Sequence, residues 1–161
     1  MSHYVDFYRG KRTTPIGHFS IKEIMQFEDS VLEREHGYIQ WVFPNPTLSR
    51  VQPGAASQPL TKDAVREMLN NEKIMKRVEK MLDRMLGFWG IARSDVALVR
   101  ISDKKRFNAK LGCTNHNQLR MTRLLTFLKC FDYGCLLDSL KELLFANVSP
   151  KQQAMKFWMS V

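Results

Sequence analysis

The residues with the most chemical potential lie between Asn115 and Arg123. His116, Arg120 and Arg123 stand at i, i+4 and i+7, so on a helix they project from one side, with Asn117 beside them. A helix opening at Asn115 would aim free backbone N–H groups and the positive end of its dipole at the same place. Two guanidinium forks suit a carboxylate or phosphate, and a histidine adds a charge or a proton near neutrality. The bland alternative is that Arg120 and Arg123 pair with carboxylates such as Glu33 or Glu35 and tie helices together, with His116 filling a cap position.

A second polar and aromatic group is His36, Gln40 and Trp41. Helical spacing puts His36 and Gln40 on one face, while Tyr38 and Trp41 turn the other way into a core. A third feature is the run Lys104, Lys105, Arg106, Lys110, Arg120, Arg123 and Lys129, which no Asp or Glu interrupts between Lys104 and Phe131. Such a stretch is either a solvated basic face or a nucleic-acid surface, for which Lys104, Lys105, Arg106 and Lys110 are the candidates. Catalytic signatures are missing: there is no Gly-rich phosphate loop, no GxSxG turn and no HExxH. Cys113 stands three residues before His116 without a third group to orient the pair, so no catalytic residue is assigned. The four histidines and three cysteines lack metal-ligand spacing, and neither a metal nor a cofactor is expected.

These residues need helices to hold them. Ser20-Ile21-Lys22-Glu23 reads as a capping box opening a helix over about 21–33. A short helix over 36–43 must stop at Pro44 and Pro46. From Pro44 to Pro59 four prolines mark a long surface loop. Thr61 then caps a helix to about Asn70. Ile74, Met75, Val78, Met81, Leu82, Met85 and Leu86 give 73–89 the clearest 3-4 spacing of the chain. The stretch 97–101 is a strand or merely extended. Asn115 with Gln118 resembles a second capping box, opening a helix to about Phe131 whose apolar positions are Leu119, Met121, Leu124, Leu125 and Leu128. Leu136, Leu137, Leu140, Leu143 and Leu144 form another helix. Ser149-Pro150 predicts the start of a last one carrying Ala154, Phe157, Trp158 and Val161. The fold class is therefore all-α, a compact single-domain bundle of about six to eight helices over residues 1–161.

Bulk properties agree. A chain of 161 residues with 44% hydrophobic and 25% charged residues is within the range of one ordinary globular domain. Its apolar runs fall far short of the ~20 residues that cross a bilayer. The start Met-Ser-His-Tyr-Val-Asp has no leader pattern, and the odd cysteine set suits reduced thiols, so an intracellular protein of nucleus or cytoplasm is expected. The net charge of +9 favours acidic partners without naming one.

Three stretches, His36-Gly37-Tyr38-Ile39-Gln40-Trp41-Val42-Phe43-Pro44, Leu86-Gly87-Phe88-Trp89-Gly90-Ile91 and His116-Asn117-Gln118-Leu119-Arg120-Met121-Thr122-Arg123-Leu124-Leu125, occur in an order and spacing that resemble the conserved N-terminal region of the opioid growth factor receptor family. Phe7-Tyr8-Arg9-Gly10 and Pro59-Leu60-Thr61 extend the resemblance over nearly the whole chain. Members are named for a receptor of the pentapeptide Met-enkephalin that associates with the nucleus; they do not resemble the seven-helix opioid receptors. Residues 1–161 contain no internal repeat of the kind that the longer animal members carry in their C-terminal tails.

The resemblance implies a helical binding module, and the motif joins the two polar groups. If their helices pack together, His36, Gln40, His116, Asn117, Arg120 and Arg123 would form a basic polar pocket for a peptide or small anionic ligand. The remaining surface would be open to protein partners. The alternatives are a nucleic-acid-binding protein and an uncharacterised phosphate-handling enzyme with His116 or His36 as acid or base.

Overall fold

The computed structural model describes residues 2–48 and 58–161, so the middle of the proline-rich loop, with Pro53 and Gly54, lies outside the described residues. The chain is mostly α-helical, and its internal contacts divide it into two units, Met1–Leu82 and Asp83–Val161.

In the first unit the opening segment is itself a helix, α1 (His3–Arg9), two turns long and without a side-chain cap from Ser2. Its Tyr4, Val5, Phe7 and Tyr8 are all buried. The helix ends in a Schellman closure: Gly10, at φ 82°, gives its N–H to Phe7 O at 2.9 Å, and Lys11 gives its N–H to Asp6 O at 2.8 Å. The expected helix over 21–33 is instead two, α2 (Ile21–Met25) and α3 (Asp29–Arg34). The capping box is present, with Ser20 Oγ accepting from Glu23 N and Glu23 Oε2 accepting from Ser20 N at 2.7 Å. The break lets Phe27 leave the helical stripe and meet Phe19 and Tyr38 edge-on, with ring centroids at 4.9 and 6.0 Å.

Next, α4 (Ile39–Val42) is a single turn within a run, Tyr38 to Phe43, that is buried throughout. Trp41 packs edge-on against Tyr4 and Phe7 at 5.3 and 5.5 Å. Thr61 caps α5 (Lys62–Leu69) by accepting from Ala64 N, and α6 (Glu72–Phe88) follows with Ile74, Val78, Met81 and Leu82 inward.

The second unit opens with the end of α6 and a turn at Gly90, whose φ of 77° favours glycine. A Cβ there would fall 2.5 Å from Asp103 O and 2.9 Å from Phe107 N. Beyond it β1 (Ile91–Ser94) and β2 (Leu98–Ile101) form an antiparallel hairpin with Ile91 opposite Ile101. The all-α class holds, with this one small hairpin: the stretch read as strand or extended is a strand whose partner lies just before it, brought round by the turn at Asp95 (φ 54°).

A further helix, α7 (Lys104–Leu111), was hidden by its charges. Asp103 caps it by accepting from Arg106 N at 2.9 Å, and only Phe107 and Leu111, four apart, are buried. Then follow α8 (His116–Cys130), α9 (Gly134–Asn147) and α10 (Ala154–Ser160). The last helix starts four residues later than Ser149-Pro150 predicted, since 149–153 makes turns instead. Ten helices are therefore described against the six to eight expected, because single-turn and two-turn helices carry too little periodicity to be read. Within this unit α8 packs on α7, α9 and α10, and β2 lies on α9. Among the described residues no helix is long and apolar enough to cross a membrane.

Candidate functional site

Asn115 does cap α8, with its Oδ1 accepting from Asn117 N at 2.7 Å. The reciprocal arm of the expected box is absent. Gln118 is 2% exposed and donates instead to Leu111 O at 2.9 Å and to Gln152 Oε1 at 3.3 Å. The inward face of α8 is also rotated from the expected one: Leu119 is 50% exposed, whereas Asn117 and Arg120 are 1% and 4% exposed. A purely hydrophobic stripe is thus replaced by a mixed one, and buried polar atoms must find partners.

The partner is an indole. Trp89 Nε1 donates to Asn117 Oδ1 at 3.2 Å, and Arg120 Nη1 reaches the same oxygen at 3.5 Å, the outer limit of a hydrogen bond. Trp89 is a core residue as expected, and its indole N–H has this further role that core packing alone does not imply. The Gly87-Phe88-Trp89-Gly90 segment in which it stands carries no sign of a distant asparagine. Arg120 stays charged at every ordinary pH, so its near-complete burial needs such acceptors. His116 is half-buried with its Nε2 enclosed, and Arg123 is half-buried. On the opposite flank Trp158 Nε1 donates to Thr122 Oγ1 at 3.0 Å, which anchors α10 on α8.

His36 and Gln40 belong to the first unit, while His116, Asn117, Arg120 and Arg123 belong to the second. The expected helical relation between His36 and Gln40 is not formed, because His36 precedes α4. His36 is exposed and Gln40 is 5% exposed, with an enclosed Oε1 that accepts no hydrogen bond among the described residues. Tyr38 and Trp41 are each 1% exposed, and Phe88 and Trp89 are fully enclosed.

Most of the basic run is engaged within the fold. Lys104 Nζ donates to Asn147 Oδ1 at 3.0 Å and stands 5.5 Å from the Phe107 ring centre. Arg106 Nη1 donates to Gly87 O at 3.3 Å, and its Nε lies 3.6 Å from Asp103 Oδ2. Lys110 Nζ sits 4.6 Å above the Phe88 ring. Lys105 is exposed.

Cys113 is exposed, with Asn115 Nδ2 at 3.7 Å from its Sγ, and Cys130 has its thiol pushed up by burial, partly opposed by the charge of Lys129. Among the described residues no group of three or more His, Cys, Asp or Glu is arranged to hold a metal ion.

These features define a mostly helical module whose second unit has an apolar interior with a small buried polar cluster around one shared asparagine. Residues 2–158 match the model of the family described as the opioid growth factor receptor (OGFr) conserved region, and the chain belongs to that family. It is 33% identical over 130 residues to the human opioid growth factor receptor, covering 75% of this chain and 18% of the relative. It is 30% identical over 129 residues to the mouse protein, covering 75% and 20%. To the opioid growth factor receptor-like protein 1 of Xenopus tropicalis it is 30% identical over 136 residues, covering 79% and 26%. The chain thus spans about a fifth to a quarter of the relatives it matches. No solved structure matches it.

Proposed function

We propose that this chain is a non-catalytic binding module that holds a peptide or another anionic ligand on α8. Arg123 and His116 are the contacts, and the Asn117–Arg120 pair is the fixed support behind them. The observation that carries this reading is the sharing of Asn117 Oδ1 between Trp89 and Arg120. It holds the polar side of the helix in one arrangement before any ligand arrives, which lowers the ordering cost of binding. A peptide ligand is favoured over other anions by the name of the relatives, receptors of an opioid growth factor. An intracellular site of action, nuclear or cytoplasmic, accords with three free cysteines.

Calorimetric titration with Met-enkephalin and with its C-terminally amidated form tests the proposal. The acid is expected to bind, and amidation or Arg123→Gln to weaken binding by about 10-fold or more, the loss of one charge-assisted hydrogen bond of about 1.5–3 kcal/mol. Equal binding of acid and amide, or no binding of either, overturns it. His36 and Gln40 are the ligand candidates of the first unit, and alanine replacements that leave the affinity unchanged remove them. Nucleic-acid binding through Lys104, Lys105, Arg106 and Lys110 is disfavoured because three of the four already have intramolecular partners. An oligonucleotide affinity that falls steeply with salt and collapses on Lys105→Ala would reinstate it.

A further inference from the structure

The linker between α1 and α2 carries a basic motif, Gly10-Lys11-Arg12-Thr13-Thr14-Pro15, that takes no part in the α8 site. Together with His18 and Trp41 it lines a cavity of about 510 Å³, a volume in the range of small-ligand sites. We propose that this cavity is a binding site for a phosphomonoester, held by Lys11, Arg12 and His18.

The linker has a defined shape. Thr14 is 1% exposed and ties the two ends together: its N–H donates to Phe19 O at 2.9 Å, its Oγ1 accepts from Phe19 N at 3.0 Å, and the same hydroxyl donates to Ile16 O at 2.7 Å. His18 is held at φ 56°, an uncommon conformation for a residue with a side chain, immediately after Gly17 at φ 79°. The imidazole is thereby placed on the cavity wall by the backbone.

The cations are not there to finish helix α1. Basic residues after a helix often neutralise its last carbonyls. Here the carbonyls of Asp6 and Phe7 are satisfied by backbone N–H groups of the Schellman closure, and that of Tyr8 by Arg77 Nη1. Nor are the cations there to pair with acids. Arg9 has Glu67 at 3.0 Å, but no carboxylate among the described residues pairs with Lys11, Arg12 or His18. Arg77 adds to the same field, its Nη1 lying 3.8 Å from where a Cβ on Gly10 would be. Like charges gathered on a shaped wall with a buried indole behind them create a positive potential that an anion relieves.

A monoester fits this wall better than a carboxylate does. It carries about −1.5 to −2 charges at neutral pH and three strongly accepting oxygens, enough to engage an ammonium, a guanidinium fork and an imidazole together. Thr13, exposed on the same wall, supplies a neutral donor. Trp41 is only 1% exposed, so it closes the cavity and presents no face on which a base could stack. Recognition is therefore mainly of the phosphate head, with no base stacked behind it.

The site is independent of the peptide reading on α8. The test is a titration of the ¹⁵N-labelled full chain, followed by amide chemical shifts, with inorganic phosphate, O-phosphoserine, glycerol 3-phosphate and the diester dimethyl phosphate at constant ionic strength. Saturable shifts centred on residues 10–14 and 18 are expected with the monoesters, with Kd at least 10-fold weaker for the diester and in Lys11→Ser/Arg12→Ser. Arg123→Gln is expected to titrate like the wild type. Tighter binding of O-phosphoserine than of glycerol 3-phosphate would point to a phosphorylated side chain as source, and the reverse to a small metabolite; either supports the site. Shifts that do not saturate, a diester equal to the monoesters, or a double variant that titrates like the wild type overturns it. Lys11 and Arg12 are both exposed, so the variant retains the fold against which its spectrum is compared.

Discussion

Replacing Asn117 by alanine puts the interior of the second unit to the test. Asn117 is 1% exposed, and its Oδ1 is 3.2 Å from Trp89 Nε1 and 3.5 Å from Arg120 Nη1. Without that oxygen the indole N–H is enclosed with no acceptor, at a cost of about 1–3 kcal/mol. The guanidinium keeps its remaining interactions and loses one long contact, which adds a smaller amount. Together the expected loss is roughly 2–4 kcal/mol, equivalent for a chain of this size to a fall in Tm of roughly 4–16 °C.

Urea unfolding followed by far-ultraviolet circular dichroism measures the loss. Its origin is isolated by a cycle with Trp89→Phe, which removes the donor and leaves Asn117 its arginine. If the indole–amide bond is the cause, the double variant is less destabilised than the sum of the singles by about 1 kcal/mol or more. Additivity within about 0.3–0.5 kcal/mol would refute the argument and assign the cost of Asn117→Ala to lost packing alone.

Gly90→Ala is expected to destabilise by at least about 2 kcal/mol, from a left-handed φ combined with a Cβ driven into Asp103 O and Phe107 N, and urea unfolding reads it directly. Glu23 has its pKa lowered by the backbone and then the side chain of Ser20. A depressed folded pKa stabilises above the ordinary glutamate range, and the contribution is lost as pH falls through the depressed value; Glu23→Gln is expected to flatten that acid limb in a pH series of unfolding curves. The Cys130 thiol is pushed up by burial while Cys113 and Cys135 are exposed, so alkylation at neutral pH followed by peptide mass spectrometry is expected to label Cys113 and Cys135 first. Labelling of Cys130 at the same rate would contradict the enclosure of that thiol.

Some of this was legible in the chain itself. The capping box at Ser20, the cap at Thr61 and the long amphipathic pattern of α6 depend on residues three or four apart, so local spacing determines them wherever the rest of the chain goes. The family is likewise a property of the residue string, carried by three motifs in order. The placement of Arg120 and Asn117 on α8 could be read, but their burial could not. Which side of α8 turns inward was decided by Trp89, 28 positions away along the chain, and by Gln118 reaching back to Leu111.

The same division explains the misread elements. The helix expected over 21–33 is broken where Phe27 meets Phe19 and Tyr38 edge-on, contacts with residues outside that segment that its own periodicity does not encode. The second strand was legible as the apolar stretch 97–101, but its partner Ile91–Ser94 is too short and mixed to be read, and only the turn at Asp95 pairs the two. Lys11 and Arg12 adjoin in the sequence, but no motif there marks them as a site. The tertiary structure shows how the linker between α1 and α2 folds back through Thr14 and Phe19, so that Lys11, Arg12 and His18 line one cavity, and it brings Trp41 from a separate segment behind them, which no spacing along the linker encodes.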